Sequence, residues 1–363
     1  MNRSISIAMF ISITTFMVVA MVVVVQFFGA NDTKAERIAT IMAEDKEEPG
    51  YGKALYSGVK QASEASGLSV IIEDDIVEGN GQVIDMCSDL LNRNVATIVL
   101  TSRRFPAECE GFINSNKDVA FYGMSNDISA DNYNVFSLRV YQARYLAGVL
   151  AGLHSKSGRI GYVAPAENPE VIRDIDAFAL GVRNSNPNAT VYVRWSNSWN
   201  NDAIEKKAVR ALIEDKKVDV VSYHQNEPSV IEEADFYGVE SIGLYDDFTE
   251  EYEHCLTSVV CNWKKVFTML LTDNSKDDIS NSVRWLGLDK GAVDLSAYSS
   301  AVSDKEKLFV EAARARILSG NDVFTGHIKD NMGNERCKEG ESITDEELFN
   351  SINWYAEGVE IYE

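Results

Sequence analysis

Between residues 37 and 245 the chain alternates short apolar runs with longer stretches of helical periodicity, and connecting segments stay brief throughout. Runs at 37–43, 68–73, 95–100, 119–122 and 133–138 read as strands, with helices predicted over 53–66, 81–92 and 106–115 between them. The pattern then repeats, with strands at 159–163, 190–195, 218–223 and 241–244 and helices over 169–184, 202–215 and 228–237. A short, continuously apolar strand followed by a helix has both faces covered, which is the condition of a parallel sheet. Two such series in 363 residues predict an α/β protein of two Rossmann-like doubly wound lobes, divided near 138–141.

The most distinctive part of this pattern spans 141–199. It begins with Ala143-Arg144-Tyr145-Leu146-Ala147-Gly148-Val149-Leu150-Ala151-Gly152 and continues with Ser157-Gly158-Arg159-Ile160-Gly161-Tyr162-Val163-Ala164. Pro169-Glu170-Val171-Ile172-Arg173 follows, and Trp195-Ser196-Asn197-Ser198-Trp199 closes it. Ala143, Ala147, Gly148, Ala151 and Gly152 fall on one helix face, where a second backbone can approach closely. As a whole the block resembles the BMP family (basic membrane protein, or Med) of extracytoplasmic solute-binding proteins, and the resemblance extends over about 37–359. It implies a receptor that feeds an ABC importer and binds a purine base or nucleoside. The implied architecture is that of type I periplasmic binding proteins, in which the chain crosses a hinge three times around an interlobe cleft. On that analogy 36–140 with about 254–282 forms lobe I, 141–253 with about 283–320 forms lobe II, and 321–363 packs on lobe II and the hinge.

Residues 5–28 form an apolar stretch of 24 residues, long enough at about 1.5 Å per residue to span a bilayer. Arg3 precedes it and acidic residues follow, which orients the body outward. Segment 1–30 therefore reads as a signal peptide or an N-terminal membrane anchor, and the protein as extracytoplasmic. A net charge of −22 would repel polyphosphate, so nucleic acid is not an expected partner. The five cysteines include no C-x-x-C pair and no His at ligand spacing, so neither metal nor cofactor is expected. Cys87 and Cys109 lie on successive predicted helices and could pair or remain buried thiols.

Ligands of open α/β sheets bind beyond the carboxyl ends of the strands. The exits in the first half include Glu44-Asp45 leading to Gly50-Tyr51, and Thr101 to Phe105. Those in the second include Asn197 to Asn201, His224 to Glu227, and Tyr245 to Asp247. Aromatic rings contributed by opposite lobes can sandwich a flat heterocycle. Trp199, matching the aromatic of the family's Asn-Ser-Trp loop, is the expected stacking residue. Tyr51 is expected on the other face, with Phe105 as its substitute, and Asn197, His224, Asn226, Tyr245 and Asp247 as edge-reading groups. Asn226 and Tyr245 stand where relatives carry carboxylates. Arg173 and Asp176 read as helix capping and a surface ion pair. Nucleoside-binding relatives carry a Lys that holds the sugar, and Cys261 occupies that position, which favours a free base. No nucleophile elbow or metal cluster supports an enzyme. The expectation is a monomeric, non-catalytic receptor whose partners are the small molecule and an ABC permease. An anchored ligand-sensing ectodomain and a nucleoside receptor are the alternatives.

Overall fold

The computed structural model describes residues 37–272 and 283–363. The expected signal peptide or anchor lies outside the described residues, among which no helix is long and apolar enough to cross a membrane.

The first lobe runs β1 (Arg37–Ile41), α1 (Tyr51–Ser66), β2 (Val70–Glu73), α2 (Gln82–Asn92), β3 (Val95–Leu100), α3 (Phe105–Ser115), β4 (Ala120–Gly123) and β5 (Tyr133–Leu138). The second begins with α4 (Val140–His154), β6 (Arg159–Ala164), α5 (Pro169–Ser185), β7 (Thr190–Trp195) and α6 (Asp202–Ala211). It continues with β8 (Val220–Tyr223), α7 (Ser229–Phe236), β9 (Glu240–Tyr245) and β10 (Cys255–Cys261). Later come α8 (Trp263–Thr272), β11 (Arg284–Leu286), β12 (Val293–Leu295) and α9 (Asp304–Leu318). The tail holds β13 (Ile328–Lys329), β14 (Glu335–Cys337), α10 (Asp345–Asn350) and β15 (Val359–Ile361).

The first sheet has the order β11-β5-β4-β3-β1-β2 and the second β12-β10-β9-β8-β6-β7-β15. Within these two sheets every pairing among the described residues is parallel except that of β12 with β10 at one edge of the second. Strands β6 and β8 are buried along nearly their whole length, as parallel strands between two helical layers must be. The doubly wound α/β expectation therefore holds.

The exchange of chain between lobes differs from the expected boundaries. Cys255–Cys261, expected in lobe I, pairs with β9 and belongs to the second sheet. Arg284–Leu286, expected in lobe II, pairs with β5 in the first. The crossings thus fall at 138–140, 261–263 and 286–288. The physical reason is that β10 is buried from Cys255 to Val259, with the polar Thr257 and Ser258 bonded to Ser296, so it completes the sheet it follows. After β10, helix α8 crosses to α1, where Gly58 has no Cβ to collide with that of Trp263. In the tail, β15 extends the second sheet beside β7.

Arg173 and Asp176 are not the surface pair that was expected, since both are buried in the interior of α5. Asn168 caps that helix instead, accepting from Val171 N–H at 3.1 Å. The Arg173 guanidinium lies over the Trp285 ring at 5.0 Å and donates to Leu348 O at 2.9 Å, while Asp176 accepts from Ala356 N–H at 2.7 Å. These bonds tie the tail to the second lobe. Cys87 and Cys109 meet as free thiols in hydrogen-bonding contact in the first-lobe core.

The small-residue face of α4 lies directly against α5. A Cβ on Gly148 would collide with the Phe178 carbonyl, and one on Gly181 with the Tyr145 carbonyl. Gly148→Val should therefore destabilise the protein by about 1–3 kcal/mol in denaturant unfolding. Gly111, a helical glycine of α3 with open space beside it, is the control. Gly111→Ala should stabilise by about 0.5–1 kcal/mol. Equal effects at the two sites would refute the close-approach account.

Candidate functional site

Strand order reverses beside β1 in the first sheet, with β3 on one side and β2 on the other, and beside β6 in the second, between β8 and β7. At such switch points the loops leaving adjacent strands part and open a crevice. Glu44 and Thr101 leave β1 and β3 in the first lobe, and His224 leaves β8 in the second. The facing crevices merge into one cleft of about 1190 Å³.

The second-lobe wall is largely uncharged. His224 is buried, its N–H donates to Val163 O at 3.0 Å, and its Nδ1 lies 3.4 Å from the Tyr162 hydroxyl. Burial, with Arg144 and Arg173 nearby, pushes its pKa well below the usual imidazole value, so the ring is neutral. Burial likewise pushes the Cys261 thiol up to about 12, keeping it protonated. Beneath His224 lies a closed ionic group. Asp174 is 3.7 Å from Arg144 Nε and 3.6 Å from Arg173 Nε, and burial raises it to about 6 despite both cations. The first-lobe wall is acidic, with Glu44, Asp45, Glu48, Asp75 and Glu78 lining it.

Of the residues expected at the site, Trp199, Tyr51, His224, Asn226 and Tyr245 all line this cleft. Trp199 is 37% exposed and meets His224 edge-on at 6.0 Å. Tyr51 packs against Tyr245 at 5.0 Å and Trp263 at 5.8 Å, and its hydroxyl donates to Thr101 O at 3.3 Å. Tyr245 turns into the cleft at φ 73, a strained conformation for an aromatic residue.

Three expected residues are elsewhere. Phe105 is fully buried in the first-lobe core, because it is the first residue of α3 and falls on the helix's inner face with Cys109 and Ile113. Asn197 adopts φ 55 and lines a separate depression with Trp195 and Tyr362. Asp247 lies in an exposed turn, accepting from Thr249 Oγ1 at 2.8 Å. Conversely, Glu44, Trp263 and Met124 line the cleft without having been singled out as site residues. Glu44 carried a usable signal, since it follows a strand at a switch point. Trp263 lies in the 254–282 segment that the family resemblance assigns to lobe I, but its place against Tyr51 is a tertiary contact.

The lobes touch along one side of the cleft. Tyr51 N–H donates to Asn226 O at 3.0 Å, and Asn226 N–H to Trp199 O at 2.8 Å. Gly50, at φ 95, has no room for a Cβ beside the Asn226 carbonyl. Arg103 pairs with Glu170 at 3.5 Å, and Glu48 shares a hydrogen bond with Glu227.

A model of the family described as "ABC transporter substrate-binding protein PnrA-like" matches residues 35–320. The chain is 33% identical over 249 residues to a purine-binding protein of Brucella abortus, covering 67% of this chain and 69% of that one. It is 32% identical over 246 residues to a Haloferax volcanii protein provisionally named an ABC transporter glucose-binding protein, covering 67% of this chain and 60% of the relative. Among solved structures, a transcriptional activator of the comK gene from Bacillus halodurans superposes with a TM-score of 0.68 at 19% identity, over 78% of this chain and 98% of that one. An ABC transporter solute-binding protein from Aeropyrum pernix gives 0.66 at 15% identity, over 81% and 92%. At these identities the structural likeness establishes the fold alone.

Burial and the bond to Glu227 raise Glu48 from its ordinary 4.5 to about 8. A proton shared across the cleft supports lobe contact fully below the ordinary value, and that support is lost as pH rises through about 8. In small-angle scattering, the radius of gyration of the ligand-free protein should increase between pH of about 5 and about 9. Glu48→Gln, which keeps a donor but does not titrate, should abolish the change. The same expansion in that variant would assign the opening to another group.

Proposed function

The chain belongs to the PnrA-like (Bmp) family of ABC transporter substrate-binding proteins, and we propose that it binds a purine nucleobase or similar flat heterocycle in the interlobe cleft. Proteins of this family bind small molecules and work with ABC permeases. On this reading the protein acts on the extracytoplasmic side as a monomer, releasing its ligand unchanged to the permease.

The observation that carries the ligand class is the pair of aromatic walls. Trp199, on the second lobe, is a part-exposed indole within a concave site. Tyr51, on the first, is held in place by its bond to Thr101 and its ring contacts. A planar ring between them gains stacking on both faces while polar groups at the edges read its N–H and lone-pair pattern. A hexose could also stack, and the glucose-binding name of one relative makes it the competing ligand. Its hydroxyls would need polar partners around the whole rim, however, and Tyr245, Cys261, Trp263 and Met124 make part of this rim apolar. The neutral thiol of Cys261 has no ammonium to offer a ribose, which favours the base over its nucleoside.

Base–aromatic stacking is worth about 1–3 kcal/mol, so Trp199→Ala should weaken binding by about 5- to 150-fold in calorimetry with the fold intact by circular dichroism. In a thermal-shift panel of adenine, guanine, hypoxanthine and xanthine, their ribosides, and glucose, the bases should stabilise most. Greater stabilisation by ribosides would defeat the Cys261 argument, and by glucose the nucleobase reading itself.

A further inference from the structure

Two polar atoms in the cleft wall lack partners. Glu44 Oε2 and Trp263 Nε1 are shut off from solvent without a hydrogen bond, although both side chains line the cleft. The Trp263 side chain belongs to a residue only 2% exposed. A buried donor or acceptor left unpaired costs about 1–3 kcal/mol, so an unpaired acceptor and an unpaired donor in one site call for a ligand that supplies both counterparts. The two flank Tyr51. Trp263 packs edge-on against its ring at 5.8 Å, and Glu44 is close enough for its charge to raise the Tyr51 hydroxyl's pKa. Glu44 also stands beside the first-lobe switch point, where such sheets place their ligands.

The groups around Glu44 do not neutralise it. Its own loop contributes Asp45 and Glu48, and the segment after β2 contributes Asp75 and Glu78. Arg103 and Arg104 lie at the mouth, but pair with Glu170 at 3.5 Å and Glu78 at 3.7 Å. The second lobe presents Glu170, neutral His224 and Tyr245. Burial foremost, with Glu78 adding to it, pushes the Glu44 carboxyl up to about 7.

Building on the nucleobase reading, we propose that Glu44 and Trp263 are the edge-reading pair of the site, the Glu44 carboxylate accepting an N–H of the heterocycle and the Trp263 indole donating to a lone pair on it, so that ligand uptake displaces the Glu44 proton. The ligand class is a planar heterocycle carrying both an N–H donor and a lone-pair nitrogen, as free purine bases do. Below pH of about 7 the carboxyl is neutral and offers only its weaker carbonyl acceptor, whereas the ionised carboxylate accepts the N–H in a stronger, charge-assisted bond. Affinity therefore rises with pH, by at most about tenfold per unit, and levels off above that value. A ligand that instead accepts a hydrogen bond from neutral Glu44 would show the opposite slope.

The test is calorimetry with adenine, which stays neutral throughout, between pH of about 5.5 and about 7.5 in two buffers of different ionisation heat. The Glu48→Gln protein is used, so that the proton shared with Glu227 does not contribute. Asp174, near 6, and Glu205, near 7, titrate in the same window, so comparison with an added Glu44→Gln substitution decides the assignment. Adenine should bind about 10- to 30-fold more tightly at the upper pH, releasing protons at the lower. Glu44→Gln should remove that slope, and Trp263→Phe should weaken adenine about tenfold while leaving it in place. Proton release by protein retaining Glu44 tests the idea without a substitution at that position. A flat profile, or a slope that survives Glu44→Gln, overturns the Glu44 assignment and leaves the nucleobase reading standing. Unchanged affinity in Trp263→Phe overturns the role of the indole. Binding of glucose but not adenine overturns both this pair and the reading beneath it.

Discussion

The approach of α4 to α5, backbone against backbone, is the contact on which the rest of the second lobe depends. Ala143, Ala147, Gly148, Ala151 and Gly152 present almost no side chain, and Gly181 answers from the other helix. Helices with larger residues at these positions would stand farther apart, at the usual 8–10 Å or more. The close approach buries nearly all of α4, including Arg144, and draws Arg173 and Asp174 of α5 into the same interior. Buried charges are tolerated only when paired. Here one carboxylate serves two guanidiniums, which also lie over the Tyr162 and Trp285 rings at 5.6 and 5.0 Å. Trp285 lies just before the hinge crossing at 286–288 and Tyr162 touches His224. Helix packing is thereby linked to both the hinge and the cleft floor.

That arrangement sets the electrostatic asymmetry of the cleft. Burial, with two guanidiniums below the second-lobe wall adding to it, keeps His224 neutral, and burial keeps the Cys261 thiol protonated. The first-lobe wall carries the carboxylates, of which Glu44 and Glu48 are held above their ordinary values by burial and by neighbouring carboxylates. A flat, neutral ligand would meet an uncharged aromatic wall on one side and an acidic, hydrogen-bond-accepting edge on the other. The two walls meet through a backbone bond from Tyr51 to Asn226 and a hydrogen bond shared by Glu48 and Glu227.

How well the site could be read from sequence depended on how local each position is. Tyr51, Trp199, His224, Asn226 and Tyr245 leave strands or start helices that the apolar pattern marks plainly, and all reach the cleft. Phe105 failed because it is the first residue of α3 and falls on the helix's inner face, so a residue at a loop end can face the core instead of the opening. Asn197 and Asp247 failed because a single positive-φ residue or a tight turn re-aims the chain within a few residues of a correctly placed strand. Arg173 and Asp176 look like helix-surface residues until the neighbouring helix and the tail cover them.

The sequence by itself determined the two doubly wound lobes, the smooth face of α4 and most of the strand exits, because each follows from periodicity over a few neighbouring residues. The tertiary structure alone decided the lobe to which β10 and β11 belong, since strand pairing is a contact between residues far apart in the chain. It also decided that the Trp263 ring stands edge-on beside Tyr51, and that Glu44 Oε2 is shut off from solvent without a hydrogen bond. Burial and hydrogen-bond satisfaction are properties of the space that folding encloses, and no stretch of chain carries them alone.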